Sequence, residues 1–168
     1  MLEPKEKVQA LQTLQKIYQA LLDNAERERA DAQLEANSHV GAMESRYDTF
    51  KEEAQYLAQA HLRRTYELQG GLNRLQALID LLNSSEPRAD KRARLGSVVT
   101  IETEDGKEVT FFVSPFGGGE TLEIGDKSCK VITPESRIGK AIVNHQEDDE
   151  FDMPVGKSTK PSLVKRVL

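Results

Sequence analysis

Two apolar stretches at heptad spacing, separated by a short break, constrain this chain more than any other feature. In the first, Val8, Leu11, Leu14, Tyr18, Leu21 and Ala25 recur at alternating three- and four-residue steps, and Ile17 and Leu22 widen the stripe. In the second, Leu57, His61, Arg64, Leu68, Gly71 or Leu72, Leu75, Leu78 and Leu82 follow the same spacing. That pattern winds helices around a shared seam. Neither arm contains an internal proline, so each arm of about 33 residues would run about 50 Å at 1.5 Å per residue.

The break between the arms sets their direction. Asn37, Ser38 and Gly41 are helix-ending residues, and Gly41 can supply a left-handed C-cap. Thr49-Phe50-Lys51-Glu52 matches a capping box that opens the second helix, and Ser45-x-x-Asp48 offers an earlier start. So short a break folds the helices back as an antiparallel hairpin. Pairing residues whose numbers sum to about 89 sets Leu11 against Leu78, Leu14 against Leu75 and Leu21 against Leu68. The same register brings Glu28 to His61 and Ala25 to Arg64. The seam therefore turns polar halfway out, either fixing register at a cost in stability or leaving a thinly packed, solvated outer half. Asp48, Glu52 and Glu53 form an acidic cluster at the far tip, where charges add little to a core.

Composition narrows the setting. The chain has 168 residues, 38% of them hydrophobic and 30% charged, with a net charge of −5. That balance argues against the whole chain being an electrostatic nucleic-acid binder. No apolar run approaches the ~20 residues that span a bilayer, and Met1 to Glu6 has no apolar signal core. Cys129 is the only cysteine, which excludes an internal disulfide and a cysteine-based zinc site. A cytoplasmic monomer with no membrane partner is the expectation.

A polar linker spans residues 84–94, and the pattern then changes. Val98 to Thr103 is β-branched, Asp105-Gly106 signals a hairpin, and Glu108 to Val113 returns. Leu122-Glu123-Ile124, Lys130-Val131-Ile132, Glu150 to Met153 and Ser162 to Val167 are further strand candidates. Pro134 stands at the start of a short helix over Glu135–Val143. The expectation is an α+β chain: an antiparallel coiled-coil hairpin over 1–83 with its tip near 41–53, the linker, and a small antiparallel β domain over 95–168.

The second half resembles the C-terminal domain of the bacterial Gre transcript-cleavage factors. Arg94-Leu95-Gly96-Ser97-Val98-Val99-Thr100-Ile101 and the Asp105-Gly106 turn carry the likeness. Thr133-Pro134-Glu135-Ser136-Arg137-Ile138-Gly139-Lys140-Ala141-Ile142 carries it more specifically, being similar to the stretch in which Ser-Pro opens a short helix. At the tip, Lys51-Glu52-Glu53-Ala54-Gln55-Tyr56 is similar to the family's Lys-Glu-Asn-Ala-Glu-Tyr. The resemblance implies an FKBP-like C-terminal domain and a coiled coil that enters the secondary channel of RNA polymerase. It implies that Thr133, Pro134, Ile138 and Gly139 dock on the polymerase. The transcription-regulation and DNA-binding roles of the family come with it.

In that family an Asp and a Glu three residues apart serve RNA cleavage. Here Glu52 takes the Glu position, and Asp48 precedes it by four residues. The resemblance implies that Asp48 and Glu52 are catalytic, and that together with Glu53 they hold a Mg²⁺ shared with the polymerase and not bound stably by the free protein. Such an ion suits one or two carboxylates completed by water and phosphate. Helix capping is the other reading of Asp48 and Glu52. Tyr47 and Phe50 either close the end of the coiled coil or pack against polymerase or the RNA end. Arg46 is best placed for the nascent RNA 3′ segment. Arg27, Arg29, Arg63 and Arg64 read as partners for nearby Glu residues, and Arg88, Lys91, Arg92 and Arg94 as a solvated connector.

Other signals are poor. His39, His61 and His145 lack metal-ligand spacing, and Cys129 has no paired base. Gly117-Gly118-Gly119 lacks the Lys-Ser/Thr of a phosphate loop. Aromatic residues make up 5% and tryptophan is absent, which disfavours a prolyl isomerase pocket. The leading expectation is thus an elongation factor that stimulates the polymerase's own RNA cleavage rather than a stand-alone enzyme. A non-catalytic Gre homologue that occupies the channel and inhibits or modulates the polymerase is the alternative. A coiled-coil protein unrelated to transcription is a more distant one.

Overall fold

A computed structural model describes residues 4–38, 44–84 and 91–168, and side chains over the same span except residues 36, 38 and 44–51. Helix α1 runs Pro4–Ser38 and helix α2 Glu44–Ser84. Strands β1 (Val98–Thr103), β2 (Glu108–Val113), β3 (Thr121–Ile124) and β4 (Lys127–Ile132) follow. Helix α3 (Arg137–Ile142) then precedes β5 (Glu150–Val155) and β6 (Ser158–Val167). The chain divides into two compact units, residues 16–72 and residues 1–15 with 73–168.

The unit of residues 16–72 holds the C-terminal part of α1 and the N-terminal part of α2. Glu28 Oε2 lies 3.5 Å from His61 Nδ1, a pairing whose numbers sum to 89 as the heptad register predicts. Leu22, Ala25 and Ala32 are buried on α1, and Thr65, Leu68 and Leu72 on α2. Two expected seam positions fall outside it: Leu57 is 50% exposed and Arg64 is also exposed. Thr65 takes the inner place and donates its hydroxyl to the His61 carbonyl at 2.9 Å. A straight helix drifts about 20° per heptad from a 3.5-residue repeat, enough to trade neighbouring positions. A threonine hydroxyl is satisfied one turn back on its own helix, whereas a buried guanidinium without a carboxylate would be costly.

In the other unit the inner ends of the long helices are leucine-rich. Leu11, Leu14 and Leu75 are fully buried, with Leu78 and Ile79 close behind. Each such side chain stabilises the fold by about 1.5–3 kcal/mol. Gln15 donates to Gln76 at 3.0 Å, an antiparallel pairing of the two helices in this unit. Lys7 Nζ donates to the Gly96 carbonyl at 3.0 Å, and burial lowers the pKa of that ammonium. Gly96 has φ +81°, and a Cβ there would stand 3.3 Å from Leu78 and Leu82 side-chain carbons. Both facts favour glycine.

The six strands form one sheet in the order β3-β4-β2-β1-β6-β5. The Asp105-Gly106 turn joins β1 and β2 as an antiparallel hairpin, with Gly106 at φ +72°. The expected all-antiparallel sheet is corrected at one pair: β2 and β4 run parallel, with Phe112 opposite Val131. The loop 114–120 carries the chain past one strand position, so β3 lands on the sheet edge and β4 returns into the gap. Two strand spacings of about 4.8 Å are easily bridged by that length, whereas a tight hairpin would put β3 beside β2. One face of the sheet packs Val99, Ile101, Phe111, Val113, Ile132 and Val164 against Ile142 of α3.

The C-terminal part of the polar stretch 84–94 belongs to this domain. Ala93 is fully buried, donating to the His145 carbonyl and accepting from Asn144 N–H. Residues 85–90 lie outside the described residues.

Candidate functional site

Helix α2 begins at Glu44, so Thr49 to Glu52 is helix interior rather than a capping box, and Ser45 to Asp48 also lies within the helix. Asp48 and Glu52 therefore occupy positions one turn apart on one face of a continuous helix. The side chains of Arg46, Tyr47, Asp48 and Phe50 lie outside the described residues, as do His39 and Gly41. Glu52 and Glu53 are exposed. Successive helical residues point about 100° apart, so the Glu53 position lies next to that face rather than on it.

Among the described residues no group of three His, Cys, Asp or Glu side chains could hold a metal ion. The donor set at this end of α2 is two carboxylate positions one turn apart. That fits an incomplete Mg²⁺ site, since Mg²⁺ takes hard oxygen ligands and usually keeps water and phosphate in its shell. Asp48 and Glu52 are the residues that would hold it.

Further along the helices, the expected pairing of arginines with nearby carboxylates does not occur. Among the described residues Arg27, Arg29, Arg63 and Arg64 form no ion pair, and Glu28 meets His61 between the helices there. Exposed pairs contribute little and cost side-chain entropy, so solvation competes successfully.

The second cluster surrounds α3. The helix is shorter than expected, with Ser136 as its N-cap at φ −64° and ψ 157°. Ser136 Oγ accepts the Gly139 N–H at 3.0 Å and donates to the Thr133 carbonyl at 2.7 Å. Pro134 precedes the cap and does not open the helix. A Cβ on Gly139 would lie 1.9 Å from the Thr133 carbonyl oxygen, so only glycine lets the helix close on the loop. Thr133 and Pro134 are half-buried, Gly139 is buried, and Ile138 packs on the sheet core. Arg137 donates to the Gly156 carbonyl and so ties α3 to the β5–β6 turn. Thr133, Ser136 and Gly139 thus act as one bonded unit. Ser136 stands in the quoted motif without a role of its own, although a Ser directly before a short helix is an N-cap signal.

Cys129 is fully buried, and burial first, with Glu123 adding to it against Lys127, pushes its thiol up to about 11. It is an inert core residue. No helix among the described residues is long and apolar enough to cross a membrane.

No protein-family model and no curated relative matches the sequence. Solved structures do. The chain is similar to the GreA factor homolog 1 protein of Thermus thermophilus, at 18% identity over 96% of this chain and 94% of that one, with a TM-score of 0.38. It is similar to the corresponding Thermus aquaticus protein at 19% identity, over 99% and 96% of the two chains, again at 0.38. A prokaryotic transcription elongation factor GreA/GreB from Nitrosomonas europaea matches at 16% identity, over 55% of this chain and 78% of that one, at 0.36. At these identities and scores the likeness says nothing about individual residues.

Proposed function

We propose that this chain is a Gre-like elongation factor that binds bacterial RNA polymerase, and that the far end of its hairpin stimulates Mg²⁺-dependent cleavage of backtracked nascent RNA. The observation that carries this reading is the unbroken helix from Glu44 to Ser84, which puts the Asp48 and Glu52 positions on one face. The motif likeness of Lys51 to Tyr56 and of Thr133 to Ile142 to the Gre family supports it. So does the glycine-dependent closure of the Thr133–Gly139 loop, which gives that motif a rigid shape.

Glu52 is exposed and can offer an oxygen ligand to an ion that the polymerase also holds. A bound Mg²⁺ supplies a more acidic water and charge neutralisation at the scissile phosphate. Asp48 and Glu52 would orient that ion and water, and Arg46, Tyr47 and Phe50 would contact the RNA 3′ end or the channel wall. The Thr133–Gly139 loop would dock on the channel rim. Two carboxylates alone bind Mg²⁺ weakly, so most of the catalytic power resides in the polymerase. The protein would act where the polymerase works, in the cytoplasm.

The test is RNA shortening in stalled, backtracked elongation complexes. Wild type should accelerate it, and Asp48→Ala/Glu52→Ala should return it to the intrinsic rate while polymerase binding persists. Unchanged cleavage by the double variant would sink the catalytic assignment. The four-residue spacing and Glu53 in place of the family's Asn favour a second reading, a channel-occupying factor without cleavage. In that case wild type binds the polymerase and slows synthesis without shortening the RNA.

A further inference from the structure

We propose that Lys7 and Arg74 are positioning residues: with Gly96 and Phe116 they clamp the base of both long helices to the sheet domain, so that this base and the Thr133–Gly139 loop move as one body. The proposal rests on the elongation-factor reading only for what the clamp positions. The clamp itself belongs to the free protein, and all of its residues lie in the unit of residues 1–15 and 73–168.

Three elements meet at Gly96. Its N–H donates to the Val113 carbonyl at the end of β2 at 2.8 Å. Its carbonyl accepts the Lys7 ammonium of α1 at 3.0 Å. Its α-carbon faces α2, where a Cβ would stand 3.3 Å from Leu78 and Leu82 side-chain carbons. Leucine contacts are non-directional and let one surface slide on another. The Lys7 bond is directional and ties α1 to a single carbonyl. Burial lowers the pKa of that ammonium, so the charge is held there against a desolvation cost. A contact of that kind adds orientation more than stability.

The second contact is at Phe116. The Arg74 guanidinium of α2 stands 5.4 Å from the centroid of that ring. A guanidinium on an aromatic face is a specific contact, which lysine would not reproduce. The backbone under the ring is fixed as well. Ser114 is fully buried, and its hydroxyl donates to the Phe116 carbonyl at 2.6 Å and accepts the Phe116 N–H at 3.4 Å. The Gly119 N–H donates to the Val131 carbonyl at 2.9 Å. Between them Gly118 lies against Thr133, where a Cβ would meet the methyl at 3.6 Å. Contacts therefore run from Arg74 through Phe116 and Gly118 to Thr133. Two separate holds, at Gly96 and at Phe116, stop the pivoting that one alone would allow. Docking through the Thr133–Gly139 loop would then fix the seat of α2, the helix that carries Asp48 and Glu52.

The clamp is read in the free protein by pulsed electron paramagnetic resonance between nitroxides on Ala77→Cys and Lys140→Cys, both at exposed positions. Cys129 is buried and stays unlabelled. Wild type should give one narrow distance distribution. Lys7→Met/Arg74→Gln should broaden it about twofold or split it. Phe116→Leu, which keeps an apolar side chain and loses the ring face, should act like Arg74→Gln, and Lys7→Arg should stay narrow. Amide spectra of β1 and β2 show that the sheet persists. An unchanged distribution in the double variant overturns the clamp. In stalled, backtracked complexes the double variant should bind polymerase as wild type does and shorten RNA about tenfold more slowly or worse. A broadened distribution with unchanged shortening overturns the positioning role. If wild type itself shortens no RNA, the cleavage reading fails separately, and the positioning role falls with it.

Discussion

At Gly139 a missing atom shapes a loop. A Cβ there would sit 1.9 Å from a backbone oxygen that cannot swing away. Gly139→Ala should destabilise the sheet domain by about 1–3 kcal/mol or more, read by urea denaturation. Gly118→Ala is the control: its Cβ would meet Thr133 at an ordinary 3.6 Å, and a change within about 0.5 kcal/mol is expected. Ser136→Ala should cost about 1 kcal/mol through the lost cap. Cys129 gives a second residue-scale outcome. Its thiol is pushed up to about 11, so native protein at pH 8 should react slowly with a thiol reagent and unfolded protein quickly. Because the folded thiol ionises at higher pH than the unfolded one, the unfolded state loses its proton first. Stability should therefore fall as pH rises from the free-thiol range toward 11.

Among the elements, the two long helices divide their energy unevenly. Leu75 is fully buried, and Leu75→Ala should cost about 2–5 kcal/mol. The Glu28–His61 pair interrupts an otherwise apolar or small seam. Glu28 is exposed and His61 half-buried, so the pair itself is weak, and replacing His61 by leucine should raise the thermal midpoint through added apolar burial. A lower midpoint in the His61→Leu variant would show that the pair is favourable in itself. The turn after α3 is held by carboxylates. Lys91 first and the Val167 N–H second hold the Glu147 carboxyl below its ordinary range, and the Gln146 N–H does the same for Asp149. Depressed carboxyls stabilise above the unfolded carboxylate range, and that contribution is lost as pH falls through the folded value. Amide signals of Gln146 and Val167 should shift together on acidification, and Glu147→Gln should uncouple Val167 from the titration.

For the molecule as a whole, the division into residues 16–72 and the rest carries an expectation for dynamics. Within the 16–72 unit the buried seam passes from Leu22, Leu68 and Leu72 to the smaller Ala25, Ala32 and Thr65, whereas leucines and the sheet core fill the other unit. Native-state hydrogen exchange should show lower protection at Ala25 to Ala32 than at Leu75 to Ile79 or Val98 to Ile101. Equal protection would mean that the outer seam is as stable as the core. Much of the architecture was legible beforehand. Heptad spacing marked both long helices and their register, because a helix repeats its contacts every few residues and the pattern is local. The Asp105-Gly106 turn was legible for the same reason. Local pattern did not reveal that β2 and β4 run parallel, that Thr65 rather than Arg64 faces inward, or that Ser136 caps α3. Those depend on the space and polarity that the folded neighbours leave: a strand gap to fill, a guanidinium too costly to bury, a carbonyl too close for any Cβ. The sequence alone determined the elements, their order and the hairpin register. Only the tertiary structure decided strand neighbours, because those are set by burial between residues far apart in the chain, and only the folded backbone revealed how tightly Gly139 closes on the Thr133 carbonyl, because that approach is a matter of geometry and not of residue pattern.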